Sequence, residues 1–201
     1  MVRSHSPKKI VELAKGRCAP YFAYFDPNRK ERACFLAFHV IAPPESAVLS
    51  QPISEMSNAS HLNQVLELLR TLMEYRSGEV RQRLEKVERE ASMLHVEVLP
   101  PIYHFACSGT GNVLEISPCI GGSTIAAAFG AHDFGKRKEI VTIETGGSVK
   151  HFRLSSRNII KDLKKNLARF GAAEDVTLIN GRSSDEAIIS EVHQCFGSRD
   201  G

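Results

Sequence analysis

Apolar positions recur along this chain in two rhythms, and the rhythm changes near residue 95. Before it, helical spacing dominates. Leu62, Val65, Leu66, Leu69, Leu72 and Met73 form one stripe, and Val80, Leu84, Val87, Ala91 and Leu94 form a narrower one. Residues three and four apart share a helix face, so each set predicts an amphipathic helix. Ser77-Gly78 falls between them, giving two helices or one long helix with a weak point. In the second set Arg81, Arg83, Lys86 and Arg89 alternate with Glu79, Glu85, Glu88 and Glu90. Opposite charges at i,i+3 and i,i+4 predict a solvent-facing side. Upstream, Ser6-Pro7 opens a predicted helix carrying Ile10, Val11, Leu13 and Ala14, and Gly16 closes it. A second helix is predicted from about Arg29 to Ile41, ended by Pro43-Pro44.

After residue 95 the apolar runs are short and separated by turn residues. His95 to Leu99 and Ile102 to Phe105 flank Pro100-Pro101 and read as strands, or as one helix broken by the prolines. Val113 to Ile116 predicts a strand and Thr124 to Phe129 a small, tightly packed helix. Glu139 to Glu144 and Val149 to Leu154 predict a hairpin around Thr145-Gly146-Gly147. Ser156 caps a predicted helix with Ile159, Ile160, Leu163, Leu167 and Phe170. Val176 to Ile179 predicts a strand, and Ser183 with Glu186 forms a capping box before a last helix. Alternating strands and helices predict the fold class: α/β, a mixed sheet with flanking helices over residues 95–196, preceded by a helical N-terminal region. The domain reading is a helical segment over 1–44, a connecting loop over 45–60, a helical arm or hairpin over 61–94, and a mixed α/β region over 95–201 packed with those helices.

Composition narrows the class. The chain has 201 residues, of which 42% are hydrophobic, enough for a substantial core without disulfides. Five cysteines at wide spacing, with no CxxC pair, argue against a disulfide framework or a zinc finger. No run of 18 apolar residues predicts a membrane span, and Lys8-Lys9 is not followed by an apolar signal segment. The expectation is therefore an intracellular protein, cytoplasmic or nuclear, without a membrane partner.

Charge is unevenly placed. Residues 1–135 carry 14 basic and 14 acidic groups, residues 136–169 carry 10 basic and 3 acidic, and residues 170–201 carry 2 basic and 6 acidic. The basic block is Lys136, Arg137, Lys138, Lys150, Arg153, Arg157, Lys161, Lys164, Lys165 and Arg169. It predicts a surface for nucleic acid or for an acidic protein, with Phe152 or His151 available to stack a base. It equally suits the acidic tail of the same chain. The 61–94 helices offer a homodimer contact.

Candidate chemistry gathers between His95 and His132. His95-Val96-Glu97 is an H-x-E pattern, and Pro118-Cys119 lies between a predicted strand and a predicted helix. Over roughly residues 92–196 these features resemble the cytidine/nucleobase deaminase-like superfamily. The resemblance implies either hydrolytic deamination, with a zinc held by His95, Cys119 and Cys107 and Glu97 moving the proton, since zinc lowers the pKa of its bound water, or a catalytically degenerate relative. Gly122 stands where that family places a further cysteine. A separate reading is a thiol hydrolase or amidase. There Cys119 attacks an acyl or amide carbon, His132 or His151 holds the proton, and the Gly121-Gly122 amides form an oxyanion hole.

Overall fold

The computed structural model describes residues 37–41, 58–75, 78–109, 111–135 and 138–197. Four strands form one sheet in the order β1 (Ala37–Ile41), β2 (Asn112–Ile116), β3 (Ile140–Glu144) and β4 (Val176–Asn180). β1 runs antiparallel to β2, while β2, β3 and β4 are mutually parallel. The sheet is thus mixed, with helices flanking it, as the alternation of elements predicts.

The helices are α1 (Asn58–Glu74), α2 (Glu79–Ala91), α3 (Leu99–Ser108), α4 (Gly122–Asp133), α5 (Ile159–Arg169) and α6 (Glu186–Gly197). α1 and α2 are separate, and Gly78 caps α2 in an extended conformation. α2 buries Leu84, Val87 and Ala91, the narrow stripe of the sequence. α4 is buried along nearly its whole length because its residues are small. It lies between α3 and the sheet. A Cβ on Gly130 would collide with the carbonyl oxygen of Tyr103, so the two helix backbones meet there with no room for a side chain.

The sheet separates two apolar layers. On one face Val113 and Ile140 pack with Leu84, Val87, Leu99, Ile102, Ile125, Leu163 and Leu167 from α2 to α5. On the other, Val141, Ile143 and Ile179 pack against Ile188, Val192 and Phe196 of α6. All five residues of β3 are buried, as expected of a parallel strand covered on both faces. Full burial of one Leu or Ile is worth about 1.5–3 kcal/mol, so this double layer dominates stability.

Four local expectations are corrected. The end of the predicted 29–41 helix is strand β1; residues 29–36 lie outside the described set. Its run Ala-Phe-His-Val-Ile is apolar without a period, and β2 supplies ladder partners for it. Pro100-Pro101 neither breaks a helix nor separates strands. The prolines occupy the first turn of α3, where a missing N–H costs nothing. A short 3-10 turn, Val96–Val98, precedes them. The predicted hairpin partner at 149–154 forms no strand; the only pairing there is an isolated bridge between Val149 and Ser156. The segment turns instead toward α2, where Arg153 pairs with Glu88. At the start of α5 the cap is Asn158, which accepts from Lys161 N at 3.0 Å, rather than Ser156. Ser156 Oγ donates to Asp162 at 2.5 Å.

Candidate functional site

The residues singled out by the sequence are dispersed. His95 is exposed, and its Nδ1 accepts from Glu97 N at 3.3 Å, which caps the 3-10 turn. Glu97 Oε1 accepts from Arg81 at 3.0 Å. Cys107 lies near the end of α3, partly buried, and burial followed by the Asp133 carboxylate pushes its thiol pKa up. Cys119 follows β2, with Sγ 3.6 Å from Met93 Sδ. His132 is exposed near the C-terminus of α4, with Nδ1 3.3 Å from Asp133. α4 has 12 residues. At 1.5 Å per residue its ends are about 18 Å apart, which separates Cys119 from His132. His151 Nδ1 accepts from Arg153 N, and its ring lies 4.3 Å from that of Phe152. Among the described residues, no three His, Cys, Asp or Glu side chains gather at metal-binding distance.

The basic block is divided by the fold. Lys138 is buried, donates to the carbonyls of Ala106 and Gly109 at the end of α3, and lies 4.4 Å over Phe134. Arg153 pairs with Glu88. Arg169 lies 2.7 Å from Glu90 Oε2, an ion pair without hydrogen-bond alignment. The acidic partners of these arginines are therefore on α2. Lys150, Arg157, Lys161, Lys164 and Lys165 are exposed. Lys136 and Arg137 lie outside the described residues.

A different group is assembled at the carboxyl ends of β2 and β3. The chain leaves β2 through Ser117-Pro118-Cys119-Ile120-Gly121 and enters α4. Every second residue of this turn has a left-handed backbone: Ser117 at φ 64°, Cys119 at φ 55° and Gly121 at φ 100°. Gly121 tolerates that freely, whereas for Ser and Cys the left-handed well costs roughly 1–2 kcal/mol each. Two strained non-glycine residues in one turn mark a place where the backbone path matters more than local comfort.

Two carboxylates flank the turn. Glu115 of β2 is fully buried and accepts from the hydroxyls of Ser123 and, at 2.5 Å, Thr124, in the first turn of α4. Burial pushes its pKa from 4.5 up to about 7, the two hydroxyls oppose that rise, and Glu144 adds to it. Glu144 ends β3. Its Oε2 accepts from Cys119 N at 3.0 Å and its Oε1 from Gly146 N at 3.0 Å. Thr142 pairs in register with Glu115, and its buried hydroxyl has no hydrogen-bond partner among the described residues. No Lys or Arg among the described residues lies within ion-pair distance of either carboxylate.

Packing fixes the turn from two sides. A Cβ on Gly121 would sit 2.6 Å from Leu163 Cδ1, and one on Gly122 would collide with Ser92. The segment joining α2 to α3 therefore lies directly on the start of α4. Asn166 Nδ2 of α5 donates to the carbonyl of Ile120 at 2.8 Å.

Cysteine and histidine spacing does not point to this constellation. The available signal was Glu115-Ile116-Ser117-Pro118-Cys119-Ile120-Gly121. It is an acidic residue on a strand, followed by small or glycine positions at alternating sites, with a second acidic residue 23 positions beyond Gly121. A glycine-rich turn after a strand, with an acid about 20 residues later, is a dinucleotide-type fingerprint. Here Ser117 and Cys119 occupy two of its glycine-like positions, which hides the pattern. No protein-family model matches the chain, and no curated protein or solved structure matches it.

Proposed function

We propose that the carboxyl ends of β2 and β3 bind S-adenosylmethionine and that the chain is the cofactor-binding part of a methyltransferase. The carrying observation is the joining of Glu144 to the left-handed turn through Cys119 N, at 3.0 Å. In open parallel sheets ligands bind at the carboxyl ends of the strands, and an acid at the end of the second strand accepts from ribose hydroxyls. Glu144 has that place; its carboxylate is buried and accepts from Cys119 N, Gly146 N and, at 3.4 Å, the Thr145 hydroxyl, with which a ribose diol would compete.

Charge selects among nucleoside cofactors. A helix N-terminus favours a phosphate, and in the first turn of α4 the hydroxyls of Ser123 and Thr124 are taken by the Glu115 carboxylate. A diphosphate would sit beside the Glu144 carboxylate, which has no Lys or Arg within ion-pair distance among the described residues, and the turn carries no P-loop lysine. A sulfonium with an amino group is positively charged and suits this surrounding. Bound, that cofactor supplies an electrophilic methyl group. The chain's own residues hold it: Glu144 for the ribose, the 117–121 backbone for close approach, and Glu115 as the buried brace of the turn. The zinc-deaminase and Cys–His readings receive no support from the observed positions of His95, Cys107, Cys119 and His132.

Calorimetric titration of the full chain with S-adenosylmethionine, S-adenosylhomocysteine, NAD and ADP tests this. The two sulfur nucleosides are expected to bind, with affinity reduced at least tenfold by Glu144→Ala. Tighter binding of NAD or ADP, or no binding of either sulfur nucleoside to folded protein, overturns it.

A second reading concerns the acceptor. Arg157 and Lys161 flank the start of α5, which is tied to the 145–148 segment by a 2.9 Å bond from Ile159 N to the carbonyl of Gly147. Together with Lys150, Lys164 and Lys165 they are exposed, and an exposed cationic set of this kind favours an acidic acceptor such as nucleic acid. Retention on heparin that falls steeply with salt supports it; retention unchanged by substituting Arg157 and Lys161 with Ala sinks it.

A further inference from the structure

α1 carries an apolar face that no described part of the chain covers. Leu62, Val65, Leu66, Leu69 and Met73 are 50–66% exposed. The helix joins the core chiefly at its end, where Tyr75 packs edge-on against Tyr103 at 5.3 Å and its hydroxyl lies 3.3 Å from His104 Nδ1. A helix of 17 residues held at one end is marginal in water unless its apolar stripe is buried. A contiguous apolar patch of this kind marks an interface.

The spacing of the stripe indicates the occupant. Leu62, Leu66, Leu69 and Met73 follow steps of four, three and four residues, a sequence that reads the same in reverse. Two copies laid antiparallel therefore place Leu62 opposite Met73 and Leu66 opposite Leu69 at both halves of a twofold contact. Self-complementarity of this sort is what an isologous dimer requires. Steps of three and four are also those of a knobs-into-holes seam. The charges beside the stripe, Glu67 and Arg70, are opposite in sign and lie 3.6 Å apart within one helix, so apposed copies bring no net like charge together. The exposed apolar area is on the order of 500 Å² per copy, or ~1,000 Å² for a pair, which reaches the lower bound for a specific interface.

We propose that the Leu62–Leu66–Leu69–Met73 face of α1 is closed by the same face of a second copy of this chain, the helices running antiparallel. This is independent of the cofactor reading. The test is sedimentation of the full chain over a range of concentrations, with far-ultraviolet circular dichroism to verify folding. The wild type is expected to dimerise. Leu66→Glu places a carboxylate opposite Leu69 of the second copy and is expected to weaken association at least tenfold, leaving the fold intact because Leu66 is exposed and outside the buried core. Adding Leu69→Lys sets opposite charges across both halves of the contact and is expected to restore most of the association. A chain that stays monomeric throughout, a dimer indifferent to Leu66→Glu, or a double variant no better than the single one overturns the proposal. The first result would give the face to another occupant, and the second would place the dimer contact elsewhere.

Discussion

The carboxylate of Glu144 holds the backbone N–H of Cys119 at 3.0 Å, tying the end of β3 to the turn that follows β2. Twenty-five residues separate the two in sequence. The bond does two things. It fixes a turn whose backbone is locally unfavourable, and it sets a carboxylate at the carboxyl edge of the sheet. Glu144→Gln is expected to separate these roles. The amide keeps one acceptor but turns an NH₂ toward either Cys119 N or Gly146 N. One buried N–H is then unpaired, at a cost of about 1–3 kcal/mol. An unfolding free energy lower by that amount, with affinity for the proposed cofactor reduced by more than the stability loss explains, is the expected pair of results. Unchanged affinity would remove Glu144 from the binding role.

The strained turn provides a second test. Replacing Ser117 or Cys119 by Gly removes the left-handed penalty of roughly 1–2 kcal/mol but adds chain entropy to the unfolded state, roughly 0.5–1 kcal/mol. Each variant is expected to raise the melting temperature slightly, or leave it unchanged, and to retain cofactor binding. The Cys119 variant is also decisive for nucleophilic chemistry, because activity surviving Cys119→Gly excludes the thiol as nucleophile.

Glu115 makes stability depend on pH in a specific direction. Its folded-state pKa lies near 7, above the ordinary 4.5 of the free carboxyl, with burial as the main cause. Folded protein therefore keeps this proton where unfolded protein has lost it. The stabilising contribution is full below about pH 4.5, declines as pH rises, and is gone above about pH 7. Its size is on the order of 3 kcal/mol, taking about 1.4 kcal/mol per pKa unit. Glu115→Gln cannot ionise and still bonds the hydroxyls of Ser123 and Thr124. The difference in unfolding free energy between the variant and wild type is expected to grow in the variant's favour from pH 5 to pH 8. A difference that stays constant would show that Glu115 does not titrate in this window.

Gly130 tests how closely α3 and α4 are packed. Gly130→Ala drives a methyl group into the Tyr103 carbonyl, a backbone atom that cannot rotate away. Overpacking of this kind costs about 1–3 kcal/mol or more. Chemical denaturation is expected to show that loss, whereas Gly135→Ala would show a backbone penalty only, since a Cβ there meets nothing although its φ is 72°.

Helices α1, α2, α5 and α6 were legible because each carries an apolar stripe at helical spacing. β2, β3 and β4 were legible from short β-branched runs between turns. Ala37–Ile41 was not, because a five-residue apolar run has no period that separates strand from helix. The residues of the proposed site were visible individually but not as a group. Glu115 read as one polar position in a strand, and Glu144 as the end of another. Their relation depends on parallel pairing that sets Glu115 beside Thr142 and on the return of the chain through α4.

What the sequence determined by itself is the alternation of strands and helices and the apolar faces they bury, because side-chain periodicity follows directly from backbone geometry. It also carried the cationic block, though not the burial of Lys138, the pairing of Arg153 and Arg169 with α2, or the exposure of Lys150, Arg157, Lys161, Lys164 and Lys165. Only the tertiary structure decided that Ser117 and Cys119 take glycine-like backbones, that the described His, Cys, Asp and Glu side chains form no three-residue metal cluster, and that two carboxylates share one turn. Those outcomes depend on which strand ends meet, and contacts between residues distant in sequence leave no period for a single chain to display.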